Sequence, residues 1–342
     1  MVIETSAEKV ALRAYPSFTC AGVNWGIEQL KVLLGEHGTV YIPNKNGLVH
    51  NNRVTEELRT QGAVFVEDIK EVPEGAVVAN SMHGLSPLDL RSSIAKSLLH
   101  YDLSCPLVDN VHQRVLRAIT EARKKDKTAK VLYYCKDVTH PEPKAVIEQA
   151  PSHVVPVTDR SVLEDYQVHH NEMYFADSQT TLNVQQGMAM IEEYRDKFTG
   201  LRGLPRVGIC FATYGRQGVL DGLIQNGIKM LVVLGSPTSS NTTELVKIGK
   251  SHGLPVEFLE RGELLEEEMV RGFDKVGLHG GASVLPDEGD KAMDKLKSWG
   301  YKPMDYVFGQ PEPLTFPNSK PKVYDFRSGQ IPEELLALTR TY

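Results

Sequence analysis

Three cysteines, Cys20, Cys105 and Cys210, each stand just ahead of a segment with helical periodicity, in SFTCAGVNWGIEQL, DLSCPLVDNVHQRV and VGICFATYGRQGVL. A thiol at a strand-to-helix junction meets exposed backbone N–H groups and the positive end of the helix dipole, which favour the metal-binding thiolate. Three such thiolates can hold a metal centre. A [4Fe–4S] cluster normally takes four, so three protein ligands would leave one iron open for chemistry. Two other readings stand beside this one. Zinc could take three Cys and one His, although structural zinc ligands usually come in close-spaced pairs, and the cysteines could be ordinary core residues. Cys135, ending the apolar run VLYYC, reads as a buried strand residue behaving like a small hydrophobe.

Other polar residues sit at turn signals. His50 in LVHNNRV, His83 in NSMHGLSP and His140 in VTHPEP could together bring donors and positive charge to a phosphate; singly, each would read as a capping or surface histidine. In LGSPTSSNTTEL an apolar run and a Gly-Ser turn lead to Ser239, Ser240 and Asn241 directly before a helical segment. Hydroxyls, an amide and free backbone N–H groups at a helix N-terminus form an anion-binding concavity without a basic residue, and plain N-capping would use the same residue types. The loop HGGASVLP adds Ser283 on glycine-rich backbone. Glu142, two residues after His140, is the best-placed carboxyl for proton delivery, and Thr180 in QTTL offers a hydroxyl to relay that proton or position a substrate oxygen.

These residues need a scaffold of strand ends and helix starts. Short apolar runs (TVYIP, AVFVED, GAVVANS, KVLYYC, HVVPV, RVGICF, KMLVVLGS, PVEFLE, KVGLHGG) alternate with periodic segments such as LVDNVHQRVLRAITEARKKDK. That alternation marks βαβ units around parallel sheets, whose buried strands read as continuous apolar stretches. The expected class is α/β. Aligning the three cysteine segments exposes a weak repeat, with separations of 85 and 105 residues, each enough for one small α/β unit. The expected division is an N-terminal extension (1–20), α/β domains at 21–105, 106–207 and 208–300, and a C-terminal tail (301–342).

A chain of 342 residues, 41% hydrophobic and 24% charged, has the composition of a soluble globular protein able to bury a sizeable interior. The net charge of −6 argues against a general nucleic-acid surface. No apolar run reaches the ~20 residues a membrane span requires, and the N-terminus lacks a basic segment followed by an apolar one. A cytoplasmic protein with reduced thiols is expected, since four scattered cysteines resemble no disulfide framework.

Taken together, CAGV, VHNNRV, SMHG, SCPLV, HPE, QTTL, ICFAT with GRQ, GSPTSSN and GGAS, in that order over roughly residues 18 to 290, resemble the 4-hydroxy-3-methylbut-2-enyl diphosphate reductases, the LytB/IspH family. The resemblance implies three similar small α/β domains in a pseudo-threefold trefoil around a central [4Fe–4S] cluster held by Cys20, Cys105 and Cys210. It implies that the substrate hydroxyl meets the open iron and that His50, His83, His140, Ser239, Ser240, Asn241 and Ser283 hold the diphosphate. Glu142 would donate protons, with Thr180 and Gln179 organising the hydroxyl and water and His140 beside them. Two electrons arriving singly from a ferredoxin or flavodoxin would release water and give isopentenyl and dimethylallyl diphosphates.

The chain departs from the family pattern at several places bordering the site. Asn24, Trp25 and Gly26 replace a segment that usually carries an Arg; Pro143, Lys144 and Ala145 replace the family's VxG; Thr139 replaces a Gly; and the Arg usual after SSN is missing. The departures leave room for a paralogue acting on a different allylic substrate with the same cluster chemistry, or for a cluster- or zinc-binding protein without chemistry of its own.

Overall fold

The structure is a computed structural model describing residues 8–44, 47–203, 208–309, 312–313, 315–333 and 335. In chain order its strands are β1 (Val10–Tyr15), β2 (Val40–Pro43), β3 (Ala63–Val66), β4 (Val77–Ala79), β5 (Leu99–Asp102), β6 (Thr128–Tyr134), β7 (Val154–Val157), β8 (Glu172–Ser178), β9 (Arg202–Gly203), β10 (Met230–Leu234), β11 (Val256–Leu259), β12 (Lys275–Gly280), β13 (Lys302–Val307) and β14 (Lys322–Asp325). The chain forms two compact units, one built from the stretch up to Ala21 with Phe211–Thr315, the other from Gly22–Cys210 with the stretch from Phe316 onward.

The first unit holds one parallel sheet in the order β11-β10-β12-β1-β13. All five residues of β10 are buried, as a strand covered on both faces requires. The second unit holds two sheets. One runs β14-β5-β4-β2-β3 and is parallel apart from β14, which pairs antiparallel with β5; the other runs β7-β6-β8-β9 and is parallel throughout. Helix Pro106–Arg123 shows how the sequence pattern meets this core: Val108, Val111, Val115, Ala118, Ile119 and Ala122 bury one stripe at three- and four-residue spacing. The α/β class is as expected. No helix among the described residues is long and apolar enough to cross a membrane.

Three features differ from the sequence expectation. Residues 1–20, expected as an extension, supply β1, an interior strand between β12 and β13. The expected tail 301–342 supplies β13 to the same sheet and β14 to a sheet of the second unit. RVGICF reads as a strand, yet in its described part Gly208–Cys210 is turn and coil and Phe211 opens a helix; Gly208 takes φ +79°, which breaks an extended run.

Within the first unit, fully buried Arg216 on helix Phe211–Gln225 donates to both carboxylate oxygens of Glu312 at 2.9 Å and to the carbonyl of Phe18 at 2.6 Å. Phe18 holds φ +65° two residues before Cys20, so this cation braces the loop that carries the cysteine. Glu312→Ala strands a buried guanidinium and is expected to destabilise the protein by about 3 kcal/mol. Urea unfolding checks this, and an unchanged midpoint would contradict it.

Candidate functional site

In the second unit His50 lies beside Asn51, the N-cap of helix Asn52–Thr60; His83 follows β4; and His140 is the N-cap of helix Pro141–Gln149. Their ring centroids stand 4.9 Å (His50–His83), 5.3 Å (His83–His140) and 6.0 Å (His50–His140) apart. One ligand atom from each lies within 4.8 Å of the others. The positive charge expected of them is absent at neutral pH, because burial strips water from the charged form. It pushes His50 and His140 down to about 4 and His83 well below the usual histidine range, with the other two rings lowering His83 further. A neutral imidazole offers one donor and one acceptor. His140 Nδ1 accepts from the Glu142 backbone N–H at 3.3 Å and stands 3.4 Å from Gln179 Nε2, which places the ring hydrogen on Nε2. An Nε2–H suits an anionic oxygen, whereas a cation there would need that nitrogen's lone pair.

Glu142, in the first turn of the same helix, is 1% exposed. Its carboxyl accepts the Thr180 backbone N–H at 2.7 Å and the Thr180 hydroxyl at 2.9 Å. Burial pushes it up to about 7, against the two Thr180 hydrogen bonds, with Asp177 raising and Arg114 lowering it further. A carboxyl so placed exchanges a proton near neutral pH. Gln179 Nε2 donates to Thr181 Oγ1 at 3.2 Å, and its Oε1 accepts the Lys136 N–H at 3.4 Å. The Thr180 carbonyl accepts the Cys210 N–H at 3.1 Å, and the Cys105 N–H donates to the Met82 carbonyl, next to His83, at 3.1 Å. The second unit therefore ties Glu142, Gln179, Thr180, His140 and the Cys210 segment into one hydrogen-bonded set, and joins Cys105 to the His83 loop.

The first unit gathers the other expected residues at the C-terminal ends of β10 and β12, where α/β sheets build sites. Ser239 caps helix Ser240–Ser251 by accepting the Thr242 N–H at 3.3 Å. Asn241, expected ahead of the helix, lies inside its first turn. It is buried, with Oδ1 on the Ala282 N–H at 2.9 Å and Nδ2 on Thr213 Oγ1 at 3.4 Å. The Ala282 carbonyl accepts the Cys20 N–H at 3.1 Å, so Asn241 braces the backbone that positions Cys20. Ser240 is half-buried and Ser283, in the neighbouring loop, is buried.

A cluster of iron and sulfide needs accessible thiols, and Cys20, Cys105 and Cys210 are half-buried thiols outside any disulfide, each directly preceding a helix. Cys105 accommodates a close approach: a Cβ on Gly22 would lie 2.7 Å from its Sγ. Cys135 is buried, and burial pushes its thiol up to about 12. The donor set fits an iron–sulfur group. The departures from the family pattern also find places. Trp25 donates to the Ser319 carbonyl at 3.0 Å, Thr139 donates its N–H and hydroxyl to Asp137 at 2.8 Å, and Lys144 is exposed near Glu148. Arg114, Asp177 and Glu312 carried no signal in the sequence, because each matters through a partner far away in the chain.

Thr180→Val removes a hydrogen bond that favours the Glu142 carboxylate, so this group should titrate above its present value of about 7. Infrared titration of the buried carboxyl checks the direction; a lower or unmoved transition would contradict it. The same change should cost about 1 kcal/mol of stability.

The family model described as LytB protein matches residues 11–297. Among curated proteins, the 4-hydroxy-3-methylbut-2-enyl diphosphate reductase of Nocardia farcinica is 31% identical over 316 residues, covering 92% of this chain and 91% of that protein. The enzyme of the same name from Ectopseudomonas mendocina is 31% identical, covering 90% and 96%. Among solved structures, the E-1-hydroxy-2-methyl-but-2-enyl-4-diphosphate reductase of Plasmodium falciparum superposes with a TM-score of 0.82 at 26% identity, covering 97% of this chain and 98% of that one. A match over 287 of 342 residues, together with relatives 31% identical over nine-tenths of the chain, makes the chain a member of the LytB family.

Proposed function

We infer that this chain is an oxidoreductase that removes the hydroxyl group of 4-hydroxy-3-methylbut-2-enyl diphosphate reductively, in the non-mevalonate route to isoprenoids. Substrate, two electrons and two protons give water and isopentenyl or dimethylallyl diphosphate. The observation that carries this reading is Glu142, a buried carboxyl held by Thr180 and poised at about 7 beside three neutral histidines, in a chain of the LytB family. The family is one of iron–sulfur enzymes.

Cys20, Cys105 and Cys210 are the proposed ligands of a [4Fe–4S] cluster. When bound, such a group supplies electrons one at a time and a Lewis acid for a poor leaving group. The chain's own residues do the rest. The diphosphate is held by N–H and O–H donors: His140 through Nε2–H, with His50 and His83, and Ser239, Ser240 and Asn241 with the N–H groups at the start of helix Ser240–Ser251, and Ser283. Glu142 enters protonated below about pH 7. It passes a proton to the departing hydroxyl through Thr180 Oγ1, whose hydroxyl can turn from Glu142 to the substrate oxygen. Gln179, anchored by Lys136 and Thr181, orients the water that forms. A ferredoxin or flavodoxin is the proposed electron donor, and the cytoplasm, which keeps thiols reduced, the proposed compartment.

The Asp137–Thr139 turn and Pro143 alter the neighbourhood of His140, which favours, as a second reading, a paralogue reducing a related allylic substrate. Purified anaerobic protein with dithionite-reduced viologen should consume hydroxymethylbutenyl diphosphate; a brown, cluster-loaded protein that leaves it untouched would support the paralogue instead. A colourless zinc protein would remove the cluster from both readings.

Glu142→Gln is expected to keep the cluster and bind substrate while losing at least about 100-fold in turnover. Undiminished turnover would remove the proton-donor role. The same variant tests burial. A carboxyl raised from 4.5 to about 7 on folding contributes its full share of stability below 4.5 and loses it as pH climbs through 7. Relative to the wild type, Glu142→Gln should therefore gain about 3 kcal/mol between pH 4.5 and pH 8, read from urea midpoints at the two pH values.

A further inference from the structure

Arg114 and Asp177 form a two-point ion pair in the second unit. Arg114 lies on helix Pro106–Arg123, which Cys105 opens, and Asp177 near the end of β8, just before Gln179 and Thr180. Arg114 Nε donates to Asp177 Oδ2 at 2.6 Å and Nη2 to Oδ1 at 2.9 Å, and Oδ1 also accepts the Ser178 N–H at 2.8 Å. Asp177 is 4% exposed. Gly208, two residues before Cys210, packs directly on the pair, and any side chain there would collide with the Asp177 carboxylate. One ion pair therefore touches the helix after Cys105, the strand end that grips Glu142 and the turn before Cys210.

The titratable groups around Glu142 come from four elements. Tyr133 and Cys135 belong to β6 and the residue after it, His140 to Glu142's own helix, Arg114 to the helix after Cys105, and Asp177 to β8. Burial keeps the first three neutral: it raises Tyr133 well above the usual tyrosine range and Cys135 to about 12, and lowers His140 to about 4. The Tyr133 hydroxyl has no partner among the described residues. Among the described residues, the charged groups that shift Glu142 are Arg114 and Asp177, and they act in opposite senses.

We propose that Arg114 and Asp177 are a positioning pair for proton delivery: together they fix the strand end that grips Glu142, and their opposed charges set the pH range in which Glu142 keeps its proton. The proposal rests on the reading of Glu142 as the proton donor. Such a pair is neutral as a whole, so removing either member alone exposes the other's charge to Glu142. Asp177→Asn, which keeps its bond to the Ser178 N–H, leaves a cation that favours the carboxylate. Arg114→Met leaves an anion that disfavours it.

The test is the pH dependence of kcat/KM for the cluster-loaded enzyme with hydroxymethylbutenyl diphosphate, paired with infrared titration of the Glu142 carboxyl, whose band is assigned by its loss in Glu142→Gln. Asp177→Asn should move the alkaline limb and the carboxyl transition down by about one pH unit, and Arg114→Met should move both up by about as much. The double variant should return close to the wild type, a cancellation that a merely structural role would not produce. Shifts in the same direction from both single variants, or no shift in a folded Asp177→Asn protein, would overturn the proposal. Should Glu142→Gln turn over normally, the proton-donor reading fails by itself, and the infrared shifts still decide whether the pair controls the carboxyl.

Discussion

Thr180 spends every polar group it has on the site. Its N–H and hydroxyl hold the Glu142 carboxyl, and its carbonyl takes the Cys210 N–H. Buried backbone groups must be paired, so a loop this deep is stable only in a conformation that satisfies them all. That requirement joins the acid, the hydroxyl beside it and the segment leading to a cysteine into one body. It also sets the acid's chemistry: burial drives the carboxyl up, two donated hydrogen bonds restrain it, and the balance falls at about 7.

The histidines follow the same logic of desolvation. Three half-buried rings this close, and this far withdrawn from water, repel protons, so they work as neutral donors and acceptors rather than as cations. The His140 tautomer is dictated by the backbone of the helix that it caps, an N-cap turned to a second use. In the first unit, the Ser239 cap and the Asn241 brace likewise offer hydroxyls, an amide and helix N–H groups instead of Lys or Arg. Under the proposed function a highly charged diphosphate is met by oriented dipoles, which suits a chain whose net charge is itself negative. Oriented N–H and O–H groups also leave a short list of charges near the reacting atoms, which is why one ion pair can matter to Glu142.

The sequence by itself determined the α/β class, because buried parallel strands must be short continuous apolar runs, and KMLVVL could be little else. It determined which residue types stand at helix starts, since Cys20, Cys105, Cys210 and Ser239 each sit where a periodic segment begins. It could not show that β1 and β13 complete the same sheet as β10 and β12. Those pairings join segments more than 200 residues apart, and sheet neighbours are chosen by packing rather than by local pattern. Nor could it show the protonation states. Only the tertiary structure decided that the histidines are neutral, that Glu142 is poised near neutrality and that Arg114 meets Asp177, because charge and proton affinity depend on how much water the fold excludes and on which distant side chain it brings within a few ångströms.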